Sequence, residues 1–165
     1  MISPEVIRTH LRYTAWASRT LVEAAAKLTP EELNRDFGTA DKSVLGTLTH
    51  IFAADRMWLS RINPPQRQTF LEPRDFDIAV LDREWPAIGK AWLKWADGLV
   101  EADTTRGVIF RDLKGTTHTQ PLWQIVLHVV NHGTHHRGQV SGFLRAMGHA
   151  PAQLDLTYYY RNLQG

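Results

Sequence analysis

Apolar residues recur every three or four positions over four long stretches of this chain, and that period predicts four amphipathic helices. The first opens at Ser3-Pro4, with Ser as cap and Pro at the first helical position, and it aligns Ile7, Leu11, Thr14, Leu21, Ala25 and Leu28. Spacing carries it to about Leu28. Thr29-Pro30-Glu31-Glu32 reads as a capping box opening a short helical turn, which Gly38 closes. A second helix is predicted over 43–62, with Val44, Leu48, Ile51, Trp58 and Ile62 on one stripe and Asp55 among them. Asn63-Pro64-Pro65 stops it, and the polar stretch through Pro73 to Asp77 reads as an irregular surface connection. The third helix is predicted over 80–102, where Leu81, Trp85, Ile88, Trp92, Trp95 and Leu99 form a bundle seam. Pro86 lies close to its start, where a missing N–H costs little.

The period changes between Arg106 and Thr119, where Val-Ile-Phe, a turn at Lys114-Gly115 and Thr-His-Thr predict a small β-hairpin. Pro121 opens the fourth long helix, which runs to about Met147 and is ended by Gly148 and Pro151. A tail from Leu154 to Leu163, carrying Tyr158, Tyr159 and Tyr160, predicts a short closing helix. There is no alternating βαβ pattern, no internal repeat and no low-complexity segment. The elements therefore predict one all-α domain over residues 1–165, a four-helix bundle with a hairpin before its last long helix. The long second connection allows the third helix either to neighbour the second or to cross over, so topology stays open at this point.

Composition narrows the chemistry. A chain of 165 residues can bury roughly two thirds of the surface its unfolded form exposes, so its core needs no staples. It contains no cysteine, which excludes disulfides, thiolate metal sites and a sulfur nucleophile of its own. No apolar run approaches the roughly 20 residues of a membrane span. The opening MISPEVIRTH has no signal-peptide core, and a cytoplasmic protein is expected. Nineteen Lys and Arg against 17 Asp and Glu leave a formal charge of +2, spread without a basic block, which argues against nucleic-acid partners.

The candidate chemistry lies between His128 and Gln139, HVVNHGTHHRGQ, which holds four of the eight histidines. On a helix His132 and His136 lie about 40° apart, one turn above the other, so both reach one ion. They share a stripe with Ile125, Val129, Val140, Phe143 and Met147. Two imidazoles on a core-facing stripe must be hydrogen-bonded or coordinated to offset desolvation. Ordinary buried histidines are the competing reading of the same spacing. A catalytic metal site needs a third ligand, and the candidates outside this helix are His10, His50, His118, His149 and the carboxylate of Asp55. His128 and His135 flank the stripe and read more simply as orienting or solvent-facing groups.

Three segments together carry a family resemblance: Tyr13-Thr-Ala-Trp16, Leu45-Gly-Thr-Leu-Thr-His50-Ile-Phe-Ala-Ala-Asp55-Arg-Met-Trp58, and Asn131-His132-Gly-Thr-His-His136-Arg137-Gly138-Gln139. With the tail Leu154-Asp155-Leu-Thr-Tyr-Tyr-Tyr160, the chain resembles the DinB-like family along essentially its full length. The family includes metal-dependent S-transferases that act with small-molecule thiols. The resemblance implies an up-down-down-up bundle, usually homodimeric, with one divalent metal per chain held by His50, His132 and His136. It is the resemblance, not spacing, that selects His50 over Asp55. Asp55 then becomes an outer acceptor or the partner of a buried arginine.

Three neutral nitrogens leave an ion its full charge and open positions, the pattern of catalytic rather than structural zinc. Zinc or nickel suits the donors best, and iron or manganese also fits. Such a site can hold a thiolate or a hydroxide near neutral pH. In a cysteine-free protein the thiol must arrive as a low-molecular-weight cosubstrate. The expected partners are therefore a small-molecule substrate and such a thiol, with no nucleic acid and no membrane. Asp55, Gln139 and Tyr13 are the candidate proton-transfer groups, although Gln139 reads equally well as a core-edge amide. The alternative is a metal- or ligand-binding module without turnover. Leu127 and Val130, on the back of the last long helix, fit a homodimer contact or a seat under the hairpin.

Overall fold

The computed structural model describes residues 2–63, 71–112 and 114–163. The part of the second connection that spans 64–70, including Pro64-Pro65, lies outside the described residues. Six helices and one hairpin follow in chain order: α1 (Pro4–Ala25), α2 (Pro30–Asn34), α3 (Val44–Ile62), α4 (Ile78–Asp97), β1 (Gly107–Arg111), β2 (Thr117–Pro121), α5 (Leu122–Ala146) and α6 (Leu156–Asn162). Single 3-10 turns, Pro73–Asp75 and Glu101–Thr105, lead into α4 and into the hairpin.

Local chemistry sets the helix starts. The Ser3 hydroxyl accepts from the Val6 amide, and at α2 the Thr29 hydroxyl and Glu32 carboxylate close the reciprocal capping box. Asp77 caps α4 through the Ala79 amide. Two helix ends fall short of their periodicity. α1 stops at Ala25 rather than Leu28, and α4 stops at Asp97, with Gly98 as its cap, rather than near Ala102. Leu28 and Leu99 are nonetheless buried, because the chain beyond each cap folds back over the core.

Beside a small cluster of Tyr13, Ala17 and Tyr159, two large apolar clusters make up that core, and they fix the direction of every long helix. One gathers Leu21 and Val22 of α1, Val44 and Leu48 of α3, Leu81 and Trp85 of α4, and Val140 and Phe143 of α5. The other gathers Ile7 and Leu11, Leu59 and Ile62, Trp92 and Ala96, and Leu122 and Val126. Each long helix spans both clusters, α1 and α5 in one sense and α3 and α4 in the other. The bundle is therefore up-down-down-up. α1 packs on α4 and α5, and α3 packs on the same two, so α1/α4 and α3/α5 are opposite faces.

A polar layer separates the clusters. Arg137 of α5 is 2% exposed, and its guanidinium donates to Ser18 Oγ at 3.3 Å and to Thr14 Oγ1 at 3.3 Å and Thr134 Oγ1 at 3.1 Å. It also lies over the Tyr13 ring. Gly133, one turn before it, makes room, since a Cβ there would sit 2.6 Å from Arg137 Nη1. Asp55 of α3 is the buried acid of this layer, 4% exposed.

The hairpin pairs β1 with β2 in antiparallel register, Ile109 opposite Thr119, and turns through Gly115 at a φ of 85°. Phe110 packs against Trp58, with the Arg61 guanidinium over both rings, which ties the hairpin to α3. Val130 of α5 is buried, and Leu127 on the same side of the helix is partly exposed. Among the described residues no helix is long and apolar enough to cross a membrane.

Candidate metal centre

His50 on α3 and His132 and His136 on α5 meet across the α3/α5 face, where one ligand nitrogen from each lies within 4.8 Å of the others. The Nε2 atoms of His50 and His132 are 2.8 Å apart. The His136 ring centre is 4.5 Å from that of His50 and 4.6 Å from that of His132. The one-turn spacing on α5 supplies two rings, and the packing of α3 against α5 supplies the third.

The far side of two rings is engaged by protein oxygen. His136 donates Nδ1–H to Gln139 Oε1 at 2.7 Å, which fixes its tautomer and leaves its Nε2 a free lone pair. Asp41 reaches both helices, with one oxygen 3.5 Å from His50 Nδ1 and the other 3.8 Å from His136 Nδ1. A carboxylate there favours the Nδ1–H form of each ring and so turns the opposite nitrogens inward.

Nothing in the sequence pattern pointed to Asp41, which sits in the turn before α3. Lys42 adopts a φ of 63°, the one positive value outside glycine among the described residues, and the Asp41 carbonyl accepts from Ser43 N at 2.7 Å. The carbonyl rests on the first turn of α3 at Gly46, where a side chain would collide with it. Gly46, a glycine in the opening turn of a helix, was the available signal.

Burial and neighbouring imidazoles favour the neutral form of His132 and His50. His132 is pushed down to about 4, first by burial and then by the neighbouring imidazoles. Burial also lowers His50, with Asp41 pulling the other way and His136 adding to the fall. Neutral imidazole is the ligating form, and three such donors without a carboxylate among them fit a borderline divalent cation. His50 is 42% exposed, which leaves the cluster open to solvent on its α3 side.

Of the remaining candidates, His128 and His135 adjoin the cluster and the others lie elsewhere. His10 donates to the Val6 carbonyl, His118 pairs with Asp112 and His149 with Glu32. His135 stacks edge-on to His136, and His128 packs between Trp58 and His132. The Tyr13 hydroxyl is committed to the Leu154 carbonyl at 2.8 Å. Asp55 accepts from Trp85 Nε1 at 2.9 Å and belongs to the buried layer of Arg137. Of the three candidate proton-transfer groups, only Gln139 touches the histidines.

A helical bundle with three histidines converging from two helices is the class that fold and site define. A model of the DinB family matches residues 2–163, and the chain belongs to that family. It is 20% identical over 153 residues to the protein DinB of Bacillus subtilis, a match that covers 89% of each chain. The crystal structure of a DinB-like protein from Bacillus cereus shares the fold with a TM-score of 0.60 at 18% identity, over 87% of this chain and 94% of that one.

Proposed function

We propose that His50, His132 and His136 hold one divalent transition metal per chain, and that the centre activates a low-molecular-weight thiol or a water for attack on a small electrophile. The observation that carries this reading is the convergence of three imidazole nitrogens within 4.8 Å on an open face. When bound, the cation supplies Lewis acidity that lowers the pKa of a coordinated thiol or water. The residues do the rest. Gln139 holds the His136 tautomer, the Asp41 carboxylate acts electrostatically behind His50, and burial of His132 keeps protons from competing at neutral pH. Zinc or nickel is the preferred occupant on donor chemistry, and S-transfer or hydrolysis is the reaction class.

One observation favours a second reading, a metal-binding module without turnover. The carboxylate nearest the cluster, Asp41, faces the Nδ1 atoms rather than the inward side. Elemental analysis of purified protein should find close to one transition metal per chain, lost in His132→Ala. Unchanged metal content in that variant would rule out the centre. Metal-loaded protein is then incubated with low-molecular-weight thiols and a panel of electrophiles, and turnover with none of them selects the binding module.

A further inference from the structure

A cleft of about 320 Å³ enters the bundle between α1 and α4, on the face opposite the histidines. Arg19, Asp82 and Lys90 edge its mouth, its walls are mainly apolar, and Asp55 lies at its inner end. Ala15 and Gly89 form one side of it, where α1 and α4 approach closely enough that a Cβ at Gly89 would lie 3.3 Å from the Ala15 methyl. Its volume falls at the lower end of ligand pockets, roughly 300–1,000 Å³, and suits a molecule of one or two rings.

Asp55 is incompletely bonded. One carboxylate oxygen accepts from Trp85 Nε1 at 2.9 Å, and the backbone carbonyl accepts from Trp92 Nε1 at 3.1 Å. Among the described residues the other carboxylate oxygen accepts no hydrogen bond. A buried carboxylate ordinarily satisfies both oxygens, and an open acceptor at the end of an apolar cleft selects for a donor.

Charge then decides what kind of donor. The buried Arg137 guanidinium already acts electrostatically on Asp55, so a cationic ligand would add a second positive charge to the same interior. An anion would meet the carboxylate itself. Trp16, Trp85 and Trp92 are among the residues lining the cleft, which gives it aromatic walls suited to a ring.

We infer that this cleft binds a small uncharged aromatic molecule carrying a single N–H or O–H donor, of the indole or phenol type, whose donor completes the Asp55 carboxylate. The site is independent of the histidine centre, being reached from the other side of the bundle.

Calorimetric titration of the metal-free protein with indole and with benzothiophene, which has nearly the same shape and no donor, tests this. Indole should bind at one site at least about tenfold tighter, the worth of one buried hydrogen bond to a charged acceptor. Asp55→Asn should erase that preference, and His132→Ala should leave it intact. Leu93→Trp, which fills the cleft with Asp55 in place, should abolish binding and covers the case in which Asp55→Asn fails to fold. Equal affinity for the two ligands, no binding of either, or indole binding that survives Leu93→Trp would overturn the proposal. So would self-association that buries the cleft and that indole does not reverse.

Discussion

Gly46 leaves no space for a β-carbon beneath the Asp41 carbonyl, so the turn before α3 can lie flat on the first turn of the helix. That contact holds the Asp41 carboxylate within 3.5 Å of His50 Nδ1 and 3.8 Å of His136 Nδ1. Groups that orient metal-ligating histidines typically contribute about 10–100-fold in affinity. Asp41→Ala should weaken metal binding by about that factor, and Gly46→Ala should do the same by displacing the turn. Competition with a chromophoric chelator measures both, and wild-type affinity in the two variants would remove Asp41 from the site.

Lys42 carries the left-handed backbone of that turn. Glycine there relieves the steric cost of φ 63° but adds freedom to the unfolded chain, so Lys42→Gly should stabilise by no more than about 1 kcal/mol. Metal affinity should stay unchanged, because the turn keeps its shape. Urea denaturation and the same chelator competition read the two quantities separately.

Arg137 is buried, is bonded to three hydroxyls and is the counter-charge of Asp55. Its removal leaves a buried acid alone, a change that costs about 3–5 kcal/mol in other proteins. Arg137→Ala should lose that much by urea denaturation. Gly133→Ala pushes a methyl against the same guanidinium and should lose about 1–3 kcal/mol. A Gly133→Ala protein as stable as wild type would show that the guanidinium moves freely.

Acid stability of the metal-free protein follows from two opposed titrations. His132 falls from 6.5 to about 4, so the unfolded chain takes up its proton first and stability drops as pH falls from about 6.5 to about 4. Burial raises Asp55 from 3.8 to about 6, so the folded chain takes up that proton first. Its cost is present in full above about 6 and disappears below about 3.8. Between pH 6 and pH 4 the two slopes oppose one another. Asp55→Asn removes the opposing slope, and its stability should fall more steeply over that interval than that of the wild type. Denaturation midpoints at half-unit pH steps check it, and parallel profiles for the two proteins would contradict the assignment.

Helix starts were legible because they are local: Ser3-Pro4 and Thr29-Pro30-Glu31-Glu32 carry their caps within four residues. His132 and His136 were legible as a pair for the same reason. His50 came from family resemblance, since helical spacing says nothing about a neighbouring helix. Asp41 was invisible because its placement depends on the Lys42 dihedral and on the missing side chain at Gly46. Asp55 was visible on its stripe, but its partner indoles, Trp85 and Trp92, looked like ordinary seam residues of α4. The overlong prediction for α4 ignored Gly98, where the chain leaves the helix for a 3-10 turn.

The layer of Arg137, Asp55, Thr14 and Ser18 across the middle of the bundle also works as a latch against sliding. A one-turn shift of α5 would strand the guanidinium away from its hydroxyls and its acid. α5 is thereby pinned lengthwise, and with it the height at which His132 and His136 stand opposite His50.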